Sequence, residues 1–209
     1  MPLMPEQCLA FLVAAILITV SPGPDNLMVV GVGVSRGRRC GAAFGMGCAF
    51  GCLSHTLLAA LGVSALIVAS PVAFSGLRIG GGLYLVWLGI RALRSSGGLA
   101  FSGCPDAAAS AFRFFTKGLF ANAINPKVIL FFLSFLPQFV RADQGAVALQ
   151  TALLGVIFTF QAGVIFGMLG LFSGSVGQWL KGHARAGAWL DRIAGLVFVG
   201  LGVRLVSLR

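Results

Sequence analysis

Residues 21–26 read Ser21-Pro22-Gly23-Pro24-Asp25-Asn26, and residues 122–127 read Asn122-Ala123-Ile124-Asn125-Pro126-Lys127. Each stretch sits inside an apolar run, Cys8–Val34 for the first and Lys117–Val140 for the second. A helix needs about 20 apolar residues to cross a hydrocarbon core about 30 Å thick, and both runs are long enough. Proline inside a helix removes a backbone hydrogen bond and clashes with the preceding turn. Ser21-Pro22 and Asn125-Pro126 also read as helix starts, a capping residue followed by proline at the first position. Each span is therefore expected to be two half-helices. The second half should begin near the bilayer centre with free N–H groups and a positive dipole end, where an anion such as a substrate carboxylate can bind.

Four further apolar runs extend the count to six: Gly41–Ala69, Val72–Leu93, Gly145–Phe172 and Ala188–Val206. Residues 95–111, small and turn-rich, read as a cytoplasmic linker between repeat 1 (1–94) and repeat 2 (112–209) of one transmembrane domain. Residues 82–91, GLYLVWLGIR, match residues 195–204, GLVFVGLGVR, at six of ten positions, including Gly82/Gly195, Gly89/Gly202 and Arg91/Arg204. A three-helix repeat has an odd number of crossings, so its second copy must be inverted. Inverted repeats hold a substrate near the midplane in secondary transporters. The fold class expected is an all-α integral membrane protein of six spans, the first and fourth broken near the midplane.

Charge sets the orientation. The loops after spans 1, 3 and 5 hold Arg36, Arg38, Arg39, Arg91, Arg94, Arg113, Lys117, Lys181, Arg185 and Arg192, which is ten; the opposite side holds Arg78, Arg141, Arg204 and Arg209, which is four. The positive-inside rule puts both termini on the periplasmic side. A net charge of +10 on 209 residues suggests nucleic acid, but these cations are spread over short loops between apolar runs, which excludes that class and suits anionic lipid headgroups. With 58% hydrophobic and 10% charged residues, the chain cannot wet a globular surface. Met1–Val20 has no basic head and its apolar run continues, so it reads as part of span 1 and not as a cleaved leader. Cys8, Cys40, Cys48, Cys52 and Cys104 form no C-x-x-C pair and read as small apolar residues.

Asp25 and Lys127 are the formal charges deep in the apolar runs. A charge at a helix centre costs about 3 kcal/mol on insertion scales. At about 1.5 Å per residue, both lie a few ångströms to the cytoplasmic side of their spans' midpoints. Two readings stay open: a structural ion pair, or a bracket for a zwitterion with Asp25 near the ammonium and Lys127 near the carboxylate. Asp25 is also the candidate to take up a proton when Lys127 is engaged. His55, mid-way along span 2, is either a proton relay or a histidine satisfied by a carbonyl. Asn122, Gln138 and Gln161 are weaker polar candidates. Gly41, Gly45, Gly47 and Gly51 read as helix packing, and Phe131, Phe132 and Phe135 as packing or lipid-facing residues.

The S-P-G-P-D-N entry, the glycine-spaced span 2, the G-x-x-Y-L-x-x-L-G run in span 3, Asn125-Pro126-Lys127 and Pro137-Gln138-Phe139 together resemble the LysE/RhtB family, over nearly the whole chain and in order. That resemblance implies a bacterial inner-membrane exporter of amino acids or their derivatives, driven by the proton motive force and dimeric, with no cofactor. It places the site on Ser21, Pro22, Gly23, Pro24, Asp25, Asn26, Asn125, Pro126 and Lys127. The first cytoplasmic loop departs from the family, with only Gly37 and Gly41 similar.

Competing readings are a heavy-metal or other cation exporter, a thiol–disulfide conduit and a non-transporting scaffold. The first needs Cys, His or carboxylate ligands clustered at one depth, and His55 near Cys52 has no second ligand helix. The second is expected to need a cysteine in span 4, which has none. No metal, enzymatic activity or nucleic-acid partner is expected. The absence of a second buried acid tilts the substrate toward neutral amino acids.

Overall fold

The computed structural model describes residues 3–21, 23–63, 70–94, 110–182 and 184–207. Pro22, Cys104 and nearly all of the expected linker 95–111 lie outside them. Every regular element among the described residues is helical. The elements are α1 (Pro5–Val20), α2 (Pro24–Arg36), α3 (Arg38–Leu58), α4 (Pro71–Leu93), α5 (Ala111–Ala123), α6 (Pro126–Leu130), α7 (Val147–Leu171), α8 (Ser173–Gly182) and α9 (Ala184–Ser207).

The two breaks fall where the prolines put them. The axes of α1 and α2 meet at 54°, and those of Ala111–Ala123 and Pro126–Phe139 at 50°. Arg38–Gly62, Val72–Leu93 and Val147–Leu171 are each long and apolar enough to cross a membrane, and the bent pairs raise the count of candidate spans to five. In α9 the apolar part, Gly195–Ser207, is shorter. Large apolar side chains such as Leu57, Leu61, Val72 and Phe160 face outward, as the surface of a chain dissolved in lipid requires.

α3 lies at the centre, packed against α2, α5 and α7. Its glycines serve a different neighbour on each side. A Cβ on Gly41 would lie 2.7 Å from the Gly33 Cα of α2, one on Gly45 2.6 Å from the Phe166 carbonyl of α7, and one on Gly47 would run into the Phe115 carbonyl of α5. Backbones approach that closely only where there is no side chain. α4 pairs with α9. Their seam is built from the glycines matched in the sequence: Gly82 faces Gly202, and Gly89 faces Gly195. The core between them and α3 is aromatic, with Phe11, Phe131, Phe132, Phe135 and Phe158 in mutual ring contact or near it.

Two features depart from the expected spans. The helix after Pro126 is not regular through to Val140. It widens into a π turn at Phe131–Phe135 and tightens into a 3₁₀ turn at Leu136–Phe139, as the packing of successive Phe rings and Pro137 demands. α3 likewise ends in a π turn, Ala59–Val63. The segment after span 5, expected as a loop, forms the ten-residue α8.

Candidate functional site

A broken helix leaves carbonyls without intrahelical donors, and in lipid each must find another. At the first break the Thr19 carbonyl accepts from Asn26 Nδ2 at 2.9 Å. The Ser21 carbonyl accepts from Lys127 Nζ at 2.8 Å, and the Ser21 hydroxyl oxygen accepts from the same nitrogen at 3.0 Å. At the second break the Asn122 carbonyl accepts from the Asn125 N–H at 2.9 Å and from His55 Nε2 at 3.1 Å. A carbonyl only accepts, so Nε2 carries the His55 proton. His55 is thus satisfied by a backbone carbonyl, the plainer of its two readings.

Asp25 and Lys127 are both buried, at 3% and 8% exposure, yet they make no ion pair with each other within 4.0 Å. Each charge crosses instead to the other break. Lys127 closes the C-terminal end of α1, where a cation suits the negative dipole end, and its Nζ lies 5.2 Å from the Phe198 ring centre. Asp25 sits in the first turn of α2, the end that favours an anion. Its Oδ2 accepts from Asn122 Nδ2 at 2.7 Å, and Oδ1 is buried without a partner among the described residues.

The two half-helix starts differ, which corrects the expectation of free N–H groups at both. At α6, Asn125 is the cap: its Oδ1 accepts the Lys127 N–H at 3.0 Å, and its carbonyl accepts from Val128 and Ile129. That end is closed. At α2 the cap position belongs to Gly23, not Ser21, whose hydroxyl is held by Lys127. Glycine has no side chain to offer, and the Asp25 and Asn26 amides have no hydrogen-bond partner among the described residues. Gly23 also makes way for the lysine, since a Cβ there would stand 3.0 Å from Lys127 Nζ.

Between the breaks lies a cavity of about 20 Å³, room for about one water molecule. Thr19, Gly23, Asp25, Asn26, Asn122, Asn125 and Lys127 supply its polar wall, and Ile18, Val128, Phe131, Phe158 and Phe166 its apolar wall. Of the residues expected at the site, Pro24 and Pro126 start their helices but do not line it, Ser21 and His55 stand behind Lys127 and Asn122 without lining it, and Pro22 lies outside the described residues. Gln161 joins indirectly, donating from Nε2 to the Thr19 hydroxyl at 2.8 Å. Gln138 does not join; its Nε2 donates to the Ser134 carbonyl. The α2 face that carries Asp25 continues through Met28 and Val32 into a second recess of about 340 Å³, with Lys117 and Thr116 on its far side.

Sequence reasoning missed Thr19 and the polar clasp beyond the aromatic core. There Gln150, 1% exposed, donates to the carbonyls of Arg141 and Gly145, and its Oε1 accepts from the Arg141 N–H and from Gln7 Nε2. Gln7 also donates to the Phe139 carbonyl. The clasp ties the start of α1 and the end of the α6 segment to the start of α7. Among the described residues, no three His, Cys, Asp or Glu come together as a metal group.

Bent apolar spans around a small cavity with a buried acid and base define a multi-pass membrane transporter. The chain belongs to the LysE type translocator family, whose sequence profile matches residues 16–209. It is 33% identical to the leucine efflux protein of Enterobacter sp. (strain 638), covering 95% of this chain and 94% of that one. It is 30% identical to the threonine efflux protein of Escherichia coli (strain K12), over 93% and 94%, and 29% identical to the homoserine/homoserine lactone efflux protein of Salmonella typhi, over 98% of each. No solved structure matches it significantly.

Proposed function

We propose that the protein exports neutral amino acids across the bacterial inner membrane by proton antiport, with its site at the two helix breaks. The observation that carries this reading is the Asp25 Oδ1 atom, buried and without a donor among the described residues, on a side chain that lines the cavity. A buried acceptor of this kind costs free energy until something donates to it. An α-ammonium group and a proton are the two donors an exporter exchanges. Either satisfies Oδ1, and the two cannot occupy it together, which is the condition for antiport.

Three named relatives move leucine, threonine and homoserine, all neutral at the side chain. Among the described residues the cavity has one carboxylate, which the ammonium would use, and no second for a cationic side chain. The 340 Å³ recess gives the entry route from the side rich in Lys and Arg, which the charge count makes cytoplasmic. The clasp at Gln7 and Gln150 seals the opposite, periplasmic side. The glycine seam supports the inverted repeat. Exchanging 82 with 195 and 89 with 202 turns the Gly82–Gly202 contact into the Gly195–Gly89 contact, as a two-fold axis in the membrane plane requires.

The test is a growth screen against toxic amino acids and analogues in cells expressing the intact protein or Lys127→Ala. Resistance to neutral analogues that disappears in the variant is expected. Resistance only to a metal ion, or none to any amino acid, would overturn the reading.

A further inference from the structure

We propose that Lys127 is a latch between the two bent spans, a positioning residue, and that the substrate carboxylate is read by neutral amide donors. This rests on the exporter reading above and narrows what its site recognises.

Two of the three Lys127 donors are already committed. Nζ gives hydrogen bonds to the Ser21 carbonyl and hydroxyl oxygens, and the ammonium faces the Phe198 ring of α9. The Ser21 carbonyl is an orphan of the first break, and the lysine is its donor. A carboxylate that took Nζ away would leave that carbonyl bare in the interior, so the exchange gains little.

Apart from the third Lys127 N–H, beside the Phe198 ring, the donors left around the cavity are neutral. The amides of Asp25 and Asn26 have no hydrogen-bond partner among the described residues, at an α2 start whose cap, Gly23, offers no side chain. Asn125 gives its Oδ1 to the cap, while its Nδ2 has no hydrogen-bond partner among the described residues. Asp25 Oδ1, buried and unpartnered among the described residues on a residue that lines the cavity, is the independent sign that this turn is built for a ligand. The ammonium and the carboxylate then meet one helix start, and no charge from α6 is needed to hold either.

Latching follows from where the bonds run. Lys127 belongs to α6 and Ser21 to the end of α1, so the bond joins the two bent spans and nothing else. An exporter must move these spans relative to one another in each cycle. Making and breaking this bond sets how fast the site changes sides, while substrate affinity is set elsewhere.

The test uses purified protein reconstituted in liposomes. Threonine, homoserine and leucine are assayed first, and the methyl ester of whichever is transported is then compared with the free acid. Lys127→Met is expected to lower turnover about tenfold or more, to leave substrate affinity within about threefold, and to keep the wild-type preference for acid over ester. Ser21→Ala removes one of the two hydrogen bonds and keeps the backbone, so it gives the same split in milder form if Lys127→Met fails to fold. The proposal is overturned if Lys127→Met loses affinity by tenfold or more and no longer distinguishes acid from ester, or if Ser21→Ala weakens affinity at unchanged turnover. If none of the three amino acids crosses with the wild type, the exporter reading itself fails and the latch falls with it.

Discussion

The seam between α4 and α9 admits a sharp prediction. A Cβ on Gly89 would lie 2.6 Å from the Gly195 carbonyl oxygen and 2.8 Å from the Val199 nitrogen. Both are backbone atoms on a helix and cannot swing aside. A carbon–oxygen contact is comfortable from about 3.3 Å, so Gly89→Ala must part the helices by about 0.7 Å. Forcing a methyl into a packed seam costs about 1–3 kcal/mol, against which alanine returns up to about 1 kcal/mol of helix propensity. The net loss, on the order of 1 kcal/mol, lowers the unfolding temperature by about 2–4 °C for a chain of this size. Gly80 lies on the same helix with nothing within 4 Å of its Cβ position, so Gly80→Ala is the matched control and should be neutral or slightly stabilising. Thermal unfolding in mild detergent, followed by tryptophan fluorescence, reads both. Gly195→Ala faces the Gly89 carbonyl at 2.7 Å and should cost a similar amount, and the double variant should cost less than the sum because the helices part once. If Gly89→Ala melts with Gly80→Ala, the close approach is wrong and the support it lends to the repeat is lost.

Other parts of the molecule give further tests. Gln150→Leu removes four hydrogen bonds of the clasp and should speed tryptic cleavage after Arg141 severalfold; an unchanged rate would deny the clasp its role. Asn122→Leu deprives Asp25 Oδ2 of its donor and should cut transport about tenfold or more with the protein still folded; full activity would show that the crossed bond is dispensable. Arg141 donates to Asp143 at 3.0 Å and holds that carboxyl below its usual range. Any stability this gives is present above the ordinary carboxylate pKa and lost as pH falls through the lowered one. The pair is exposed, however, at 47% and 65% of its side-chain surface, and solvent screens it, so Asp143→Asn should melt with the wild type at pH 7. A clear drop would mean the 141–146 turn bears on the clasp.

The breaks were legible because proline after a capping residue is a local signal, and the charges were legible because lipid makes them costly. Their partners were not. Lysine has a four-carbon stem, and whether it meets Asp25 or reaches Ser21 depends on how far apart two distant spans come to rest. Ser21 looked like the cap of α2, but tertiary contact took its hydroxyl and left the position to Gly23. Asn122 carries the bond to Asp25 from an unremarkable helical position. Gln7 and Gln150 are far apart in the chain, and neither shows a local pattern. The π turn at Phe131–Phe135 follows from ring packing, which has no sequence period. α8, rich in Gly and Ser, reads as a loop until Ser173 and Gly177 pack against Gly33 and Val34 of α2.

In the proposed cycle Asp25 Oδ1 takes the substrate ammonium and the proton by turns. Counterflow exchange in liposomes, with labelled substrate on one side and unlabelled on the other and no proton gradient, isolates the ammonium-binding step. Asp25→Asn should lose exchange together with net efflux, by about tenfold or more each. Exchange at the wild-type rate in that variant, with only net efflux lost, would mean the ammonium sits somewhere other than Asp25.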